Sequence, residues 1–170
     1  TLRSIGFITF TFTCGLLYGF AALIFFWAPK KFLWKLVVNY CRLSLWAGEF
    51  FCNLKVAVEG QENLPKTASV IMIKHSSVLE TYGHVPFFPK STWVLKREIL
   101  WIPFFGWALK FIFHPIAINR KAGRTAVKQV VAQGKKKLAK GTWVTIFPEG
   151  TRMLPGKTRK YGISGAALAH

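Results

Sequence analysis

A chain of 170 residues that is 52% hydrophobic and 16% aromatic, with a formal net charge of +18, suits one small domain plus a membrane-embedded part. It is too short for two enzymes. Its cysteines, Cys14, Cys41 and Cys52, form no Cys-x-x-Cys and meet no paired histidines, so neither a disulfide framework nor a zinc site is expected and all three read as buried apolar fillers.

In chain order, the first element is apolar: no charged residue lies between Ile5 and Ala28. At ~1.5 Å per residue, such a helix is long enough to cross a ~30 Å hydrocarbon core. A cleavable signal peptide fits less well, because its apolar core spans only ~7 to 15 residues and no cleavage site precedes Pro29. Spanning and re-entrant arrangements both fit. Next, Lys31, Lys35, Asn39, Arg42, Glu49 and Asn53 share one face at helical spacing, while Phe32, Leu33, Leu36, Val37, Leu43, Trp46 and Phe50 fill the rest. That pattern predicts an amphipathic helix at the membrane interface, packed on the domain, or both.

The remainder alternates. Candidate strands are Lys55–Glu59, Ala68–Ile73, Trp93–Leu95, Pro115–Asn119 and Thr142–Phe147, and the clearest helix is Arg124–Lys140, with Ala126, Val130, Val131 and Leu138 inward. Gly60–Thr67 reads as a turn. The pattern predicts an α/β fold with a mostly parallel sheet flanked by helices. Trp101–Phe113, aromatic with Lys110 as its one charge, suits an acyl-chain groove, a lipid contact or plain core. The basic residues crowding the second half imply anionic partners. No nucleic-acid motif accompanies them, so lipid headgroups or an acidic co-substrate explain them better than nucleic acid.

Two motifs carry chemistry. His75-Ser-Ser-Val-Leu-Glu80 follows a strand, so Ser76 or Ser77 can cap a short helix whose first turn carries Glu80, and the carboxylate can curl back to the imidazole. A histidine held by a carboxylate is a general base near neutral pH. Phe147-Pro-Glu-Gly-Thr-Arg152 follows another strand at the same sheet edge, where open α/β sheets bind ligands. Gly150 permits a tight turn, and the Arg152 guanidinium suits bidentate phosphate or carboxylate binding. His84, His114 and His170 read as structural.

These motifs, with Lys96-Arg-Glu-Ile-Leu-Trp-Ile-Pro103-Phe-Phe-Gly106 and Pro115-Ile-Ala-Ile-Asn-Arg120 between them, resemble in order the blocks of the glycerolipid acyltransferases. The likeness is greatest to the 1-acylglycerol-3-phosphate acyltransferases, over roughly Val56 to Ile163. The resemblance implies a membrane anchor over residues 1–54 and a catalytic domain over 55–170. It also implies transfer of an acyl group from acyl-CoA or acyl carrier protein to lysophosphatidic acid, with no metal or other cofactor. His75 would be the base and Glu80 its orienting acid. Arg152 would grip the phosphate, helped by Lys96 and Arg120, while Glu149, Gly150 and Thr151 complete the substrate loop and Glu149 orients the glycerol or the loop.

The chain departs from that pattern in two ways. Glu80 stands where Asp is usual, and the chain contains no Asp at all, so Glu80 must serve as the partner of His75. Family members also continue past the third motif into a helix and a strand, so the C-terminal part of the fold is expected to be missing. Backbone N–H groups near Ser76 or around Gly150 are oxyanion-hole candidates. An acyl-serine on Ser76 or Ser77 is the mechanistic rival. Glycerol-3-phosphate or another lysolipid as acceptor, or a non-catalytic lipid-binding role, are the functional alternatives. Lys30, Lys31 and Lys35, just after the apolar segment, place the catalytic part on the cytoplasmic face, and a bacterial inner membrane is the expected setting.

Overall fold

A computed structural model describes all residues from Thr1 to His170. Four short strands rich in β-branched and aromatic residues, β1 (Val70–Met72), β2 (Ser91–Lys96), β3 (Ile116–Ile118) and β4 (Trp143–Ile146), form one parallel sheet in the order β1-β4-β2-β3. Val70 lies opposite Val144, Ser91 opposite Trp143, and Val94 opposite Ile116. Every strand therefore ends at the same edge, and the loops after β1 and β4, central to the chemistry, are neighbours. Parallel strands need covering on both faces.

One face packs Val94, Ile116, Ile118, Val144 and Ile146 against Val130 and Leu138 of α5 (Arg124–Leu138) and Leu168 of α6 (Ser164–Ala169). Gly134 in mid-helix makes room there, because a Cβ would lie too close to a Leu168 methyl and force that side chain to shift. The other face packs Trp93, Leu95 and Phe147 against the N-terminal helices and α4 (Phe105–Phe113).

Those N-terminal helices, α1 (Leu2–Ile24) and α2 (Lys30–Cys52), form an antiparallel hairpin. Glycine notches let aromatic rings approach: a Cβ at Gly6 would lie 3.1 Å from the Phe51 ring, one at Gly15 3.1 Å from the Tyr40 hydroxyl, and one at Gly48 3.7 Å from the Phe7 ring. Ala22 and Leu33 close the far end in the same cluster as Val85, Trp93 and Phe113. The hairpin thus lies along the domain and does not project from it. α1 is the one helix long and apolar enough to cross a membrane, and its outer face shows Ile5, Ile8, Phe12, Leu17 and Phe20.

Three sequence expectations are corrected. Lys55–Glu59 forms no strand and is unpaired and exposed: alternation makes a strand only where a neighbour takes up its N–H and C=O groups. Of the cysteines, only Cys41 is buried, while Cys14 and Cys52 are partly exposed along the hairpin. Trp101–Phe113 is neither one groove nor plain core, since Ala108, Ile112 and Phe113 are buried whereas Trp101, Ile102, Phe104, Phe105, Trp107 and Phe111 face outward, Trp101 being 70% exposed.

Candidate active site

The loop after β1 turns directly into α3 (Leu79–Gly83), a helix so short that its start is held by side chains. The Ser77 hydroxyl accepts the Leu79 N–H at 2.9 Å and donates to Glu80 Oε2 at 2.5 Å. Glu80 Oε1 reaches back to accept the Ser76 and Ser77 N–H groups at 2.6 and 2.7 Å. The same oxygen accepts Nδ1–H of His75 at 2.8 Å. A carboxylate fixing Nδ1–H leaves Nε2 as the basic nitrogen, and no protein group bonds Nε2.

Burial would raise the Glu80 pKa, but the hydroxyl and amide of Ser77 and the His75 ring outweigh it and bring it down to about 2. Glu80 is thus a fixed anion throughout the physiological range, with its second carboxylate oxygen also engaged. The additional methylene relative to Asp is taken up by curling the side chain over the turn.

The imidazole is also held from the β4 side, where the Phe147 ring stacks on it with centroids 4.3 Å apart and planes 26° from parallel. Glu149, from the same loop, is buried, and its Oε2 accepts the His75 backbone N–H at 3.2 Å. Lys74 Nζ stands 3.6 Å from Glu149 Oε1 and donates to the Lys157 carbonyl at 3.0 Å. The Met153 N–H donates to the His75 carbonyl at 2.7 Å. Both motif loops are therefore one unit. Gly150 sits at φ +68°, a left-handed turn that favours glycine, and its carbonyl accepts a hydrogen bond from the Arg120 guanidinium.

The structure brings His75, Glu80 and Glu149 into contact and ties Arg120 to Gly150. Thr151 and Arg152 lie on the exposed turn, and the Arg152 guanidinium has no protein partner. Lys96 ends β2 on the same edge, 4.0 Å from Glu98. The expected oxyanion donors are corrected in part: the Ser76 and Ser77 N–H groups are taken by Glu80 and the Gly150 N–H donates to the Phe147 carbonyl at 3.0 Å, whereas the Thr151 and Arg152 N–H groups beside Gly150 have no intramolecular acceptor. Lys74 and the stacking role of Phe147 were missed by sequence reasoning, although Lys74 directly precedes His75 and Phe147 opens its motif.

His84 lies below the site in the core. Its Nδ1–H donates to the Glu80 carbonyl at 2.8 Å, the Thr145 hydroxyl faces Nε2 at 3.4 Å, and burial pushes its pKa down. It is a neutral structural residue. No group of three or more His, Cys, Asp or Glu is placed to hold a metal ion.

The family model described as Acyltransferase matches residues 55–168. The chain belongs to the acyltransferase family. A 1-acyl-sn-glycerol-3-phosphate acyltransferase of Pseudomonas aeruginosa is 44% identical over 83% of this chain and 55% of its own length. The mouse 1-acyl-sn-glycerol-3-phosphate acyltransferase alpha is 30% identical over 68% of this chain and 43% of its own. This acyltransferase chain thus spans about half the length of the curated relatives it matches. The crystal structure of the 1-acyl-sn-glycerophosphate acyltransferase PlsC from Thermotoga maritima superposes with a TM-score of 0.77 at 21% identity, over 99% of this chain and 68% of that one. The acyltransferase fold is shared, including the N-terminal helices.

Proposed function

We propose that the protein transfers a fatty acyl group from acyl-CoA or acyl carrier protein to the free sn-2 hydroxyl of 1-acylglycerol 3-phosphate, giving phosphatidic acid for phospholipid synthesis. The observation that carries this reading is the 2.8 Å bond between His75 Nδ1 and Glu80 Oε1, which leaves Nε2 as the basic nitrogen. His75 Nε2 takes the proton of the acceptor hydroxyl as its oxygen attacks the thioester carbonyl. Glu80 stabilises the imidazolium. As the tetrahedral intermediate collapses, the C–S bond breaks and the imidazolium proton goes to the departing thiolate. General-base help of this kind is worth about 10²- to 10⁴-fold, and holding both substrates together supplies much of the rest. The relatives named as acyltransferases of 1-acyl-sn-glycerol 3-phosphate support the acceptor.

Arg152, free on the exposed turn, and Lys96 on the same edge are the cations offered to the acceptor phosphate. Glu149 holds the loop and not the glycerol, because its side chain is fully buried, with Oε2 on the His75 N–H and Oε1 beside Lys74. A direct transfer is favoured over an acyl-serine on Ser77, since the Ser77 hydroxyl already accepts the Leu79 N–H and donates to Glu80.

The protein works at a membrane surface, with the domain on the cytoplasmic side of a bacterial inner membrane. The hairpin enters one leaflet from that side, a reading supported by α1 pairing along α2, which carries Lys35, Arg42 and Glu49 and packs on α3 and α4. An acceptor panel tests the function. Membranes containing the full protein are given labelled acyl-CoA and, in turn, lysophosphatidic acid, glycerol 3-phosphate and lysophosphatidylcholine. Phosphatidic acid is the expected product; turnover confined to another acceptor would overturn the assignment.

A further inference from the structure

Acyl transfer puts a positive charge on the His75 ring for part of each cycle, from the arrival of the acceptor's proton to its departure with the thiolate. Glu80 meets that charge in the plane of the ring, at Nδ1. One face of the ring is covered by Phe147, 4.3 Å away between centroids and 26° from parallel. A benzene face carries negative charge density and attracts a cation resting on it within ~6 Å of its centroid. Contact with the uncharged ring gains mainly burial.

The chain contains its own comparison in His84. That imidazole, buried in the core and neutral, meets Phe88 and Trp93 at centroid distances of 6.0 Å with the planes at 63° and 88°. Edge-on contact suits a ring that stays neutral, whereas near-parallel contact sets the π face against the ring that becomes charged. Apart from His75 and Phe147, only Trp46 and Phe50 stack in this way, and they do so on the exposed side of the hairpin.

The Phe147 ring is fixed before any substrate arrives. Phe147 follows β4, whose four residues are all buried, and its side chain packs on the cluster that contains Trp93 and Leu95. Its carbonyl accepts the Gly150 N–H at 3.0 Å, and the Pro148 carbonyl accepts the Gly162 N–H at 2.8 Å. The His75 side chain is only 15% exposed, so little water competes for its charge and the contact is stronger for it. We infer that the π face of Phe147 stabilises the charged form of His75, acting with the in-plane carboxylate of Glu80 during acyl transfer. The inference rests on the acyl-transfer reading of this site. It gives Phe147 an electrostatic task in addition to packing.

The test replaces Phe147 in the full protein, in membranes, with phenylalanines carrying one, two and three ring fluorines. These nearly keep the shape of the ring while withdrawing charge from its face. Lysophosphatidic acid and labelled acyl-CoA are the substrates, and kcat and the acceptor KM are measured separately. The same fluorinated residues at Phe113, which packs on Trp34 and Trp93 and makes no ring contact with His75, are the control. kcat is expected to fall with each added fluorine, by about tenfold over the series, while the acceptor KM and the Phe113 series stay within about twofold of wild type. F147L, which fills space without a π face, should lose at least as much; melting curves establish folding, and the fluorinated series decides alone if F147L does not fold. A level series in an active enzyme, or an equal fall in the Phe113 series, would overturn the proposal and leave acyl transfer standing. Wild-type membranes that acylate no acceptor would overturn the function and this inference together.

Discussion

Replacing Glu80 with Gln removes a charge while keeping the shape of the side chain. The Gln carbonyl oxygen can still accept the Ser76 and Ser77 N–H groups now bonded at 2.6 and 2.7 Å, so the turn should survive. What disappears is the anion beside Nδ1. Two unit charges ~4 Å apart interact by about 4 kcal/mol at an effective dielectric of ~20. At about 1.4 kcal/mol per decade, kcat/KM should therefore fall about 10²- to 10³-fold. The assay is transfer of labelled acyl-CoA to lysophosphatidic acid by the full protein, with a melting curve to show that the variant is folded. E80D, which keeps the charge and shortens the reach, should fall between wild type and E80Q. A folded E80Q within threefold of wild type would refute the role of Glu80 as the stabiliser of a histidinium.

The same carboxylate should govern acid stability. Its pKa is lowered to about 2 in the folded protein, so its contribution is complete above an unfolded value near 4.5 and is lost as the pH falls towards 2. Denaturant titrations at pH 5 and pH 3 should show a smaller drop for E80Q than for wild type, and an equal drop would contradict the linkage. G134A would force a Cβ into Leu168 and should destabilise the α5–α6 packing by about 1 to 3 kcal/mol, seen as a lowered denaturation midpoint. Trp101, Trp107 and Phe111 form an outward aromatic patch on the same side of the sheet as the hairpin. Changing all three to Ser should weaken sedimentation with anionic vesicles about tenfold or more without lowering the melting temperature, and undiminished sedimentation would remove this patch from the membrane contact.

Much of this was readable in the chain because chemistry and local pattern coincided. His75 and Glu80 face each other because a strand end, a serine turn and a first helical turn are all local. The apolar runs at Val70–Met72, Ile116–Ile118 and Trp143–Ile146, and the helical pattern from Arg124, depend little on distant partners. Long-range pairing was not readable. Lys55–Glu59 alternates like a strand but has no neighbour, and nothing local reveals that. The Phe147 ring over His75, the Glu149 grip on the His75 N–H and the Lys74 pairing all join segments far apart in sequence. The part of the oxyanion expectation that rested on Ser76 and Ser77 failed for a related reason. A free N–H at a turn is a property of the folded loop, and here Glu80 had already taken both.

The central claim is that His75 is the general base, and the most direct measurement is single-turnover acyl transfer by the full protein carrying His75→Ala in membranes supplied with lysophosphatidic acid and labelled acyl-CoA. The account predicts a folded protein whose transfer rate is reduced by about 10² or more while acceptor binding persists. Transfer by that variant at the wild-type rate would contradict it.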